Sequence, residues 1–192
     1  MTIGAHNNKH IYDKNLLPWL VEHEDIKSFL EIGCGTGWQT KLALSLGLDS
    51  IAIDGDNAGS FHLPHQNFLQ VDYRKGTSKL NRRFDLGWSV EFAEHVPEDY
   101  IDNYMRDFAL CDRVVFTAAP KGWASPEKRH QHPNEQDEPY WIKLFTKYGF
   151  RHDEKMTETI RRISCLVDNH KNIRRDIKQF IKNRGLYFEN SC

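Results

Sequence analysis

The sequence predicts a doubly wound α/β fold, in which a mostly parallel sheet has helices on both faces and an antiparallel last strand. Short apolar runs alternate along the chain with stretches in which apolar residues recur at helical spacing. Each run ends near a polar or small residue, as is typical of parallel strands buried on both faces. One strand-to-helix connection is a glycine-rich turn. Together these observations indicate strands and helices that alternate around one parallel sheet.

The amino-terminal half is predicted to contain two helices and three strands. The elements, in order, are a helix over residues 13–22, a strand over 28–32, a helix over 38–46 that stops at Gly47, and strands over 50–54 and 67–71. In the first helix, Leu16, Leu17 and Leu20 share a face, and Pro18 is tolerated near the first turn. The short segment over residues 55–66 is rich in Gly, Pro, Asn and His, so it predicts a loop or a single turn.

The carboxyl-terminal half continues the alternation. Its elements are a strand over residues 84–90, a helix over 98–109, a strand over 113–119 and a helix over 138–147 that ends at Gly149. Helical spacing then predicts two further helices, one containing Ile160, Ile163, Leu166 and Val167, and one containing Ile173, Ile177, Phe180 and Ile181. The last strand, over residues 186–189, is predicted to pair antiparallel with residues 150–153.

Length and composition indicate one domain. The chain has 192 residues, of which 39% are hydrophobic and 28% charged. We expect a single domain over residues 1–192, with a core over about 17–153 and the carboxyl-terminal helices and last strand over 157–190. The sequence contains no membrane-length apolar run and no signal peptide, so no membrane partner is expected. The net charge of −1 gives no overall basic field for nucleic acid, and four scattered cysteines fit a reducing cytoplasm.

The most informative stretch is FLEIGCGTGWQ, which joins the first buried strand to the next helix. Gly33, Gly35 and Gly37 allow a tight turn and let a ligand approach the backbone. Their G-x-G-x-G spacing, preceded by Glu31, differs from the G-x-G-x-x-G fingerprint of dinucleotide-binding proteins. Asp54, at the end of the next strand, can accept hydrogen bonds from both hydroxyls of a ribose. These residues predict a nucleoside-binding site.

On these residues the sequence resembles the class I S-adenosylmethionine-dependent methyltransferases over about residues 17–150. The stretch EIGCGTG resembles the first motif of that family, and FDLGWSVEFAEHV resembles its fourth. The resemblance implies a Rossmann-like fold and S-adenosylmethionine as the cofactor. It implies that Asp54 binds the ribose, that Asp72 reaches the adenine amine, and that Ser89 contacts the cofactor through its backbone, as does Val90. The full implied cofactor-binding set is Glu31, Gly33, Gly35, Gly37, Asp54, Asp72 and Ser89.

The acceptor side is indicated by Glu91, Glu94 and His95, which would share one face of a helix that starts directly after the fourth strand. Two carboxylates and an imidazole could hold Mg²⁺, Mn²⁺ or Zn²⁺, with a fourth ligand from His130 or His132. That set resembles the metal site of small-RNA terminal 2′-O-methyltransferases. Ubiquinone-pathway O-methyltransferases share the E-x-x-EH pattern, which is also common in methyltransferases that bind no metal. We therefore favour His95, His132 and Glu91 as base or substrate contacts over a metal site.

Three functions remain open at this stage. The leading hypothesis is methyl transfer from S-adenosylmethionine to a small polar molecule, at oxygen. The second is metal-assisted 2′-O-methylation of a nucleic-acid terminus, and the third is a non-catalytic S-adenosylmethionine-binding protein. Amine methylation of DNA bases and carbon methylation of cytosine are disfavoured, because the chain has WSVE in place of N/D-P-P-Y and contains no Pro-Cys pair.

Overall fold

The computed structural model describes residues 11–168 and 179–191. In these ranges the helices and strands are β1 (Ile11–Asp13), α1 (Leu16–His23), β2 (Ser28–Ile32), α2 (Trp38–Ser45), β3 (Asp49–Asp54), β4 (Phe68–Gln70), β5 (Phe84–Val90), α3 (Ile101–Phe108), β6 (Cys111–Thr117), α4 (Glu138–Lys147), β7 (Phe150–His152), α5 (Glu154–Ile163), β8 (Leu166–Asp168), α6 (Phe180–Arg184) and β9 (Leu186–Asn190). None of the helices in these two ranges combines the length and the apolar character that a membrane crossing requires.

Seven strands form one sheet in the order β4-β3-β2-β5-β6-β9-β7. The first five of these are mutually parallel, and β9 pairs antiparallel with both β6 and β7. The predicted mostly parallel α/β sheet with an antiparallel last strand is therefore confirmed. The strand order reverses direction between β2 and β5, and ligands of such sheets bind at the carboxyl ends of the strands on either side of that point.

Both faces of the sheet are buried, which explains the continuous apolar runs of its strands. On one face, residues such as Leu30 and Phe116 pack with α3 and α4 in an aromatic-rich core. On the other face, Phe29 and Trp88 pack with residues of α1, α2, α5 and α6. Alternate residues of one strand, such as Phe29 and Leu30, thus belong to different cores, as the pleat of a strand requires.

Several predicted elements are confirmed with small shifts at their ends. Strands over residues 28–32 and 84–90 and the helix over 138–147 have the predicted bounds. The segment over residues 55–66 forms only two 3₁₀ turns, Ala58–Phe61 and His65–Asn67, in agreement with the predicted loop or turn. The strand predicted over residues 113–119 begins earlier, because Cys111 pairs with Phe84 and the sheet ends at Thr117.

The prediction of a helix through Leu166 and Val167 is wrong. Helix α5 ends at Ile163, and Leu166–Asp168 forms strand β8, which pairs antiparallel with β1. The apolar spacing predicts a helix here, but residues 166–168 pair with the distant strand β1, and this tertiary pairing overrides the local preference for a helix. Phe180 and Ile181 lie in helix α6, whereas Ile173 and Ile177 are outside the described residues.

Candidate functional site

The glycine-rich turn lies between β2 and α2, at the carboxyl end of the first parallel strand. Gly33, Gly35 and Gly37 have φ angles of +78°, +52° and +79°, which residues with a Cβ rarely adopt. The N–H groups of Gly33 and Cys34 donate to the carbonyl of Ile53, at 2.9 and 3.0 Å, and so fix the turn beside β3. The predicted cofactor turn is thus built from backbone conformations that only glycine accepts easily.

Two of these glycines are also required by packing. A Cβ on Gly33 would overlap the side chain of Phe92, which follows β5. A Cβ on Gly37 would lie 2.7 Å from Cδ1 of Leu63, in the loop after β3. The first contact is the more informative, because it joins the turn directly to the segment that carries the predicted acceptor residues.

Asp54 is buried at the end of β3 and faces the glycine-rich turn. Its carboxylate accepts hydrogen bonds from the N–H groups of Gly35 at 2.7 Å and Asp56 at 3.0 Å. Burial raises the pKa of Asp54 to about 6, although the backbone hydrogen bonds oppose this shift. A carboxylate has about four lone-pair positions, so these backbone bonds leave it able to accept further bonds from ligand hydroxyls.

Glu31 is buried beneath the turn and holds it to the following helix. Its carboxyl group accepts hydrogen bonds from the N–H group of Thr40, at 2.9 Å, and from the Thr40 hydroxyl. Burial raises the pKa of Glu31 to about 8, although the bonds from Thr40 lower it. Glu31 therefore supports the turn from within, between β2 and α2.

Asp72 and Ser89 complete the predicted cofactor set, and they differ in environment. Arg74 donates to both carboxylate oxygens of Asp72, from Nε at 2.8 Å and from Nη2 at 2.7 Å. These hydrogen bonds lower the pKa of Asp72 to about 2. Ser89 is fully buried near the end of β5, and within the described ranges its Oγ has no hydrogen-bond partner.

The prediction of a helix directly after β5 is wrong. Glu91 has a φ of +56°, which turns the chain sharply, and only a 3₁₀ turn, Ala93–His95, follows it. The carboxylate of Glu91 accepts from the Thr117 hydroxyl at 2.8 Å and from Arg184 of α6. Glu91, Glu94 and His95 therefore do not share a helical face, because a positive φ breaks the helix where it would begin.

The metal site that these residues suggested is not assembled. Among the residues that the structure describes, no group of three or more His, Cys, Asp or Glu side chains is arranged to hold a metal ion. Glu91 is engaged by Arg184, and His130 lies exposed in the 3₁₀ turn Pro126–Gln131. Glu91, Glu94, His95 and His130 therefore do not form the predicted four-ligand metal site in the described residues.

The structure brings His95 and His132 together, and both are residues that the sequence predicts on the acceptor side. Their ring centroids are 4.6 Å apart and their planes meet at 78°, in an edge-to-face contact. The Nδ1 atom of His95 lies 2.7 Å from the carbonyl oxygen of Gln131, which can only accept, so this nitrogen donates. The loop that follows β6 is thereby fixed against the segment after β5.

Glu135 is a residue of this site that the sequence analysis missed. Its Oε1 lies 3.0 Å from Nδ1 of His132, and both side chains are largely buried. Glu135 also accepts hydrogen bonds from the backbone N–H groups of Gly122, Trp123 and Ala124. The H-x-x-E spacing of His132 and Glu135 was the available signal, since residues three apart can meet within one turn of chain.

Glu94 lies in the interior beside this loop. Its backbone carbonyl accepts from the N–H group of Asn134 at 3.1 Å. Burial raises the pKa of Glu94 well above its usual range, and the negative charge of Glu91 adds to this effect. Arg184 and a hydrogen bond from the backbone of Ala119 act in the opposite direction. The site thus combines a charged pair, Glu91 with Arg184, and a neighbouring carboxyl group for which burial favours the neutral form.

A family model, a curated relative and several solved structures relate this chain to methyltransferases. A family model described as a methyltransferase domain matches residues 5–155. The chain is 28% identical over 106 residues to tocopherol O-methyltransferase of Arabidopsis thaliana, a match that covers 49% of this chain and 30% of that protein. This chain therefore spans less than a third of the length of that curated relative.

Solved structures of methyltransferases share the fold. Magnesium protoporphyrin IX methyltransferase from Synechocystis, with bound SAH, has a TM-score of 0.59 at 18% identity, covering 92% of this chain and 80% of that chain. A SAM-dependent methyltransferase from Archaeoglobus fulgidus has a TM-score of 0.54 at 15% identity, covering 90% of this chain and 89% of that chain.

Proposed function

The chain belongs to the class I S-adenosylmethionine-dependent methyltransferases, and from this premise we propose that it methylates a hydroxyl oxygen of a small polar molecule. One observation carries the proposal. The His132–Glu135 pair and His95 are held against the segment after β5, whose Phe92 packs on the glycine-rich turn. A group able to take a proton therefore lies beside the element that binds the cofactor in this fold.

The residues of the turn fit S-adenosylmethionine. Gly35 and its neighbours expose backbone to a ligand, and Asp54 retains lone pairs for the two ribose hydroxyls. When bound, the cofactor supplies an electrophilic methyl group on a sulfonium, and its transfer to an oxygen leaves a neutral thioether. The protein's task on this side is to hold and orient the cofactor.

On the acceptor side, His132 is suited to remove a proton. The Glu135 carboxylate accepts from Nδ1–H of His132, so the lone pair of the neutral ring is at Nε2. A hydroxyl needs to lose its proton as the new carbon–oxygen bond forms, and Nε2 of His132 is the group that takes it. Glu135 acts as a positioning residue, because it fixes the tautomer and the orientation of the ring.

The substrates for which two similar proteins are named favour a small acceptor. One is a tocopherol O-methyltransferase and the other a magnesium protoporphyrin IX methyltransferase, so both are named for small-molecule substrates. We therefore place a small-molecule acceptor ahead of a nucleic-acid end.

Calorimetric titration with S-adenosylhomocysteine tests the cofactor half of the proposal. We expect Asp54→Asn to weaken binding by about 10–100-fold, because hydrogen bonds from the ribose to a charged carboxylate are lost. The matched control is Asp49→Asn, at the opposite end of β3, where the carboxylate is paired with exposed Arg82. This control should leave the affinity unchanged. Equal affinities for all three proteins would contradict the assignment.

Transfer itself is tested by incubating the protein with methyl-labelled S-adenosylmethionine and a fractionated small-molecule extract. Labelled product should form with the wild type, and His132→Gln should lower its rate by about 10²–10⁴-fold without changing cofactor affinity. Glu135→Gln should shift the pH profile, and His23→Gln on the exposed end of α1 should have no effect. Cofactor binding without any labelled product would instead favour a non-catalytic binding protein, and chelator-sensitive labelling of RNA ends would favour the nucleic-acid alternative.

A further inference from the structure

Two buried polar side chains beside the proposed base lack hydrogen-bond partners. Glu94 is 1% exposed and Asn134 is 2% exposed. Within the part of the chain that the structure describes, Oε2 of Glu94 and both Oδ1 and Nδ2 of Asn134 make no hydrogen bond. Buried polar atoms of this kind are uncommon and disfavour the folded state, so three of them on two residues in backbone contact require an explanation.

The two residues are neighbours across the contact between the β5 segment and the loop after β6. The N–H group of Asn134 donates to the carbonyl of Glu94 at 3.1 Å. Each residue is also close in sequence to one member of the imidazole pair, since His95 follows Glu94 directly and His132 precedes Asn134 by two positions. The unpartnered atoms therefore belong to the same end of the sheet as the proposed proton acceptor.

We propose that Glu94 and Asn134 form an acceptor-recognition pair that binds two neighbouring hydroxyl groups of a neutral molecule. This inference rests on the function proposed above and assigns its substrate class. The donors and acceptors of two hydroxyl groups match the three unpartnered atoms. One hydroxyl can accept from Nδ2 of Asn134 and donate to Oε2 of Glu94. A second hydroxyl then donates to Oδ1 of Asn134, so a vicinal diol satisfies all three atoms.

Charge in the surroundings favours a neutral ligand over an ionic one. The nearby charged pair, Glu91 with Arg184, is already matched within the protein. A charged acceptor of either sign would have to leave water for a place where the charges of Glu91 and Arg184 already balance each other. Burial also raises the pKa of the Glu94 carboxyl well above its usual range, which disfavours a second charge at this place.

The test measures binding of small probes to the protein saturated with S-adenosylhomocysteine, by ligand-observed NMR. Catechol and cis-cyclohexane-1,2-diol are compared with phenol and cyclohexanol, which lack the second hydroxyl. We expect each diol to bind the wild type at least about tenfold more tightly than its monohydroxy counterpart. Asn134→Leu and Glu94→Gln should reduce this preference while the affinity for S-adenosylhomocysteine stays the same.

The urea midpoint of unfolding is an independent measurement that distinguishes a role of Asn134 in acceptor binding from a role in stabilising the fold. Asn134→Leu removes two unpartnered polar atoms, so it should raise the urea midpoint of the ligand-free protein. The matched control is Asn103→Leu, which removes a satisfied hydrogen bond from Nδ2 to the carbonyl of Tyr73. This control should lower the midpoint and leave the diol preference intact.

The outcomes distinguish this inference from the one on which it rests. Equal binding of diols and monohydroxy probes by a protein that binds S-adenosylhomocysteine would overturn the acceptor-recognition pair alone. A lower urea midpoint for Asn134→Leu with an unchanged diol preference would do the same, since Asn134 would then be structural. Failure of the wild type to bind S-adenosylhomocysteine would overturn both proposals.

Discussion

Gly33 combines a backbone requirement with a packing requirement, and the two can be separated experimentally. Its φ of +78° is unfavourable for any residue with a Cβ, and the position that a Cβ would occupy is taken by Phe92. Gly47, after helix α2, has a similar φ of +82°, but no atom lies within 4 Å of its Cβ position. The pair therefore forms a matched set that differs only in packing.

We predict that Gly33→Ala destabilises the protein more than Gly47→Ala. The positive φ alone should lower the free energy of unfolding by about 1–2 kcal/mol in each variant. Displacing Phe92 should add about 1–3 kcal/mol for Gly33→Ala and weaken binding of S-adenosylhomocysteine. Urea unfolding measures the first effect and calorimetry the second. Similar losses of stability in the two variants would show that Phe92 moves aside freely.

Glu31 should make stability depend on pH. Its pKa is raised from 4.5 to about 8 in the folded protein, so the folded state binds this proton more tightly than the unfolded state does. The stabilisation is complete below about pH 4.5 and is lost as the pH rises through about 8. Glu31→Gln keeps an acceptor for Thr40 but cannot ionise.

The measurement is the difference in free energy of unfolding between wild type and Glu31→Gln from pH 6 to 9, without cofactor. The wild type should lose stability relative to the variant by up to about 1.4 kcal/mol per pH unit below pH 8, and the difference should level off above it. Parallel curves over this range would mean that Glu31 does not titrate there.

The elements of the sheet follow from the sequence where local pattern and tertiary environment agree. Strand β5 and helix α4 have their predicted bounds because each carries a complete periodic pattern bounded by clear end signals. Strands β1 and β8 have only three residues each and pair across most of the chain, so neither has a local signature. The positive φ of Glu91 is likewise set by contacts with Thr117 and Arg184, which no local pattern reveals.

Helix α6 is attached to the strand edge through Arg184, and we predict that this attachment stabilises the fold. The Arg184 guanidinium pairs with Glu91, with both side chains 15% exposed, and lies 4.4 Å from the ring centre of Trp123. Arg184→Met should lower the free energy of unfolding by about 2–4 kcal/mol, because it leaves the Glu91 carboxylate without its cation.

The control for this prediction is a solvent-exposed ion pair on the protein surface. Arg83 and Asp112 are both about half exposed, so Arg83→Met should change stability by less than about 1 kcal/mol. In a Glu91→Gln background, Arg184→Met should have a smaller effect, as a double-mutant cycle by urea unfolding will measure. An unchanged effect in that background would assign the stabilisation to Trp123 instead of Glu91.

At the scale of the whole molecule, the two halves of the site differ in how far the sequence predicts them. Most of the predicted cofactor half lies within one strand, turn and helix, and Asp54, Asp72 and Ser89 lie at or near the ends of the neighbouring strands, so spacing and strand order make these residues recognisable. The acceptor half combines the segment after β5, the loop after β6 and helix α6, which meet only in the folded chain. Glu135 and Asn134 were therefore missed, and a metal set was inferred from spacing that the fold does not preserve.

Asp13 links strand β1 and the segment after α5 to the helix that begins at the glycine-rich turn. Its buried carboxylate accepts from the N–H groups of Leu16 at 2.8 Å and Cys165 at 3.0 Å, and from the Ser164 hydroxyl. Its own N–H group donates to Oε1 of Gln39 in α2, at 2.6 Å. One residue thus joins β1, α1, the end of α5 and the cofactor-side helix.

We predict that Asp13→Ala loosens this whole corner of the molecule. Removing the carboxylate leaves several buried donors unpaired, so the free energy of unfolding should fall by about 3 kcal/mol or more. Hydrogen exchange should accelerate in β1, β8 and the start of α1, while β5 and β6 at the centre of the sheet stay protected. Because Gln39 of α2 is bonded to the backbone of Asp13, displacement of β1 in this variant should also lower the affinity for S-adenosylhomocysteine.

The matched control is Asp153→Ala, which removes the side-chain cap that accepts from the N–H group of Met156 at 2.8 Å at the start of α5. Loss of a single cap should lower stability by about 1 kcal/mol and leave cofactor affinity unchanged. Hydrogen exchange with mass spectrometry and calorimetry on both variants decides the matter. If the two variants lose the same stability and bind equally well, Asp13 is an ordinary cap, and its contacts with the segment after α5 do not support the cofactor site.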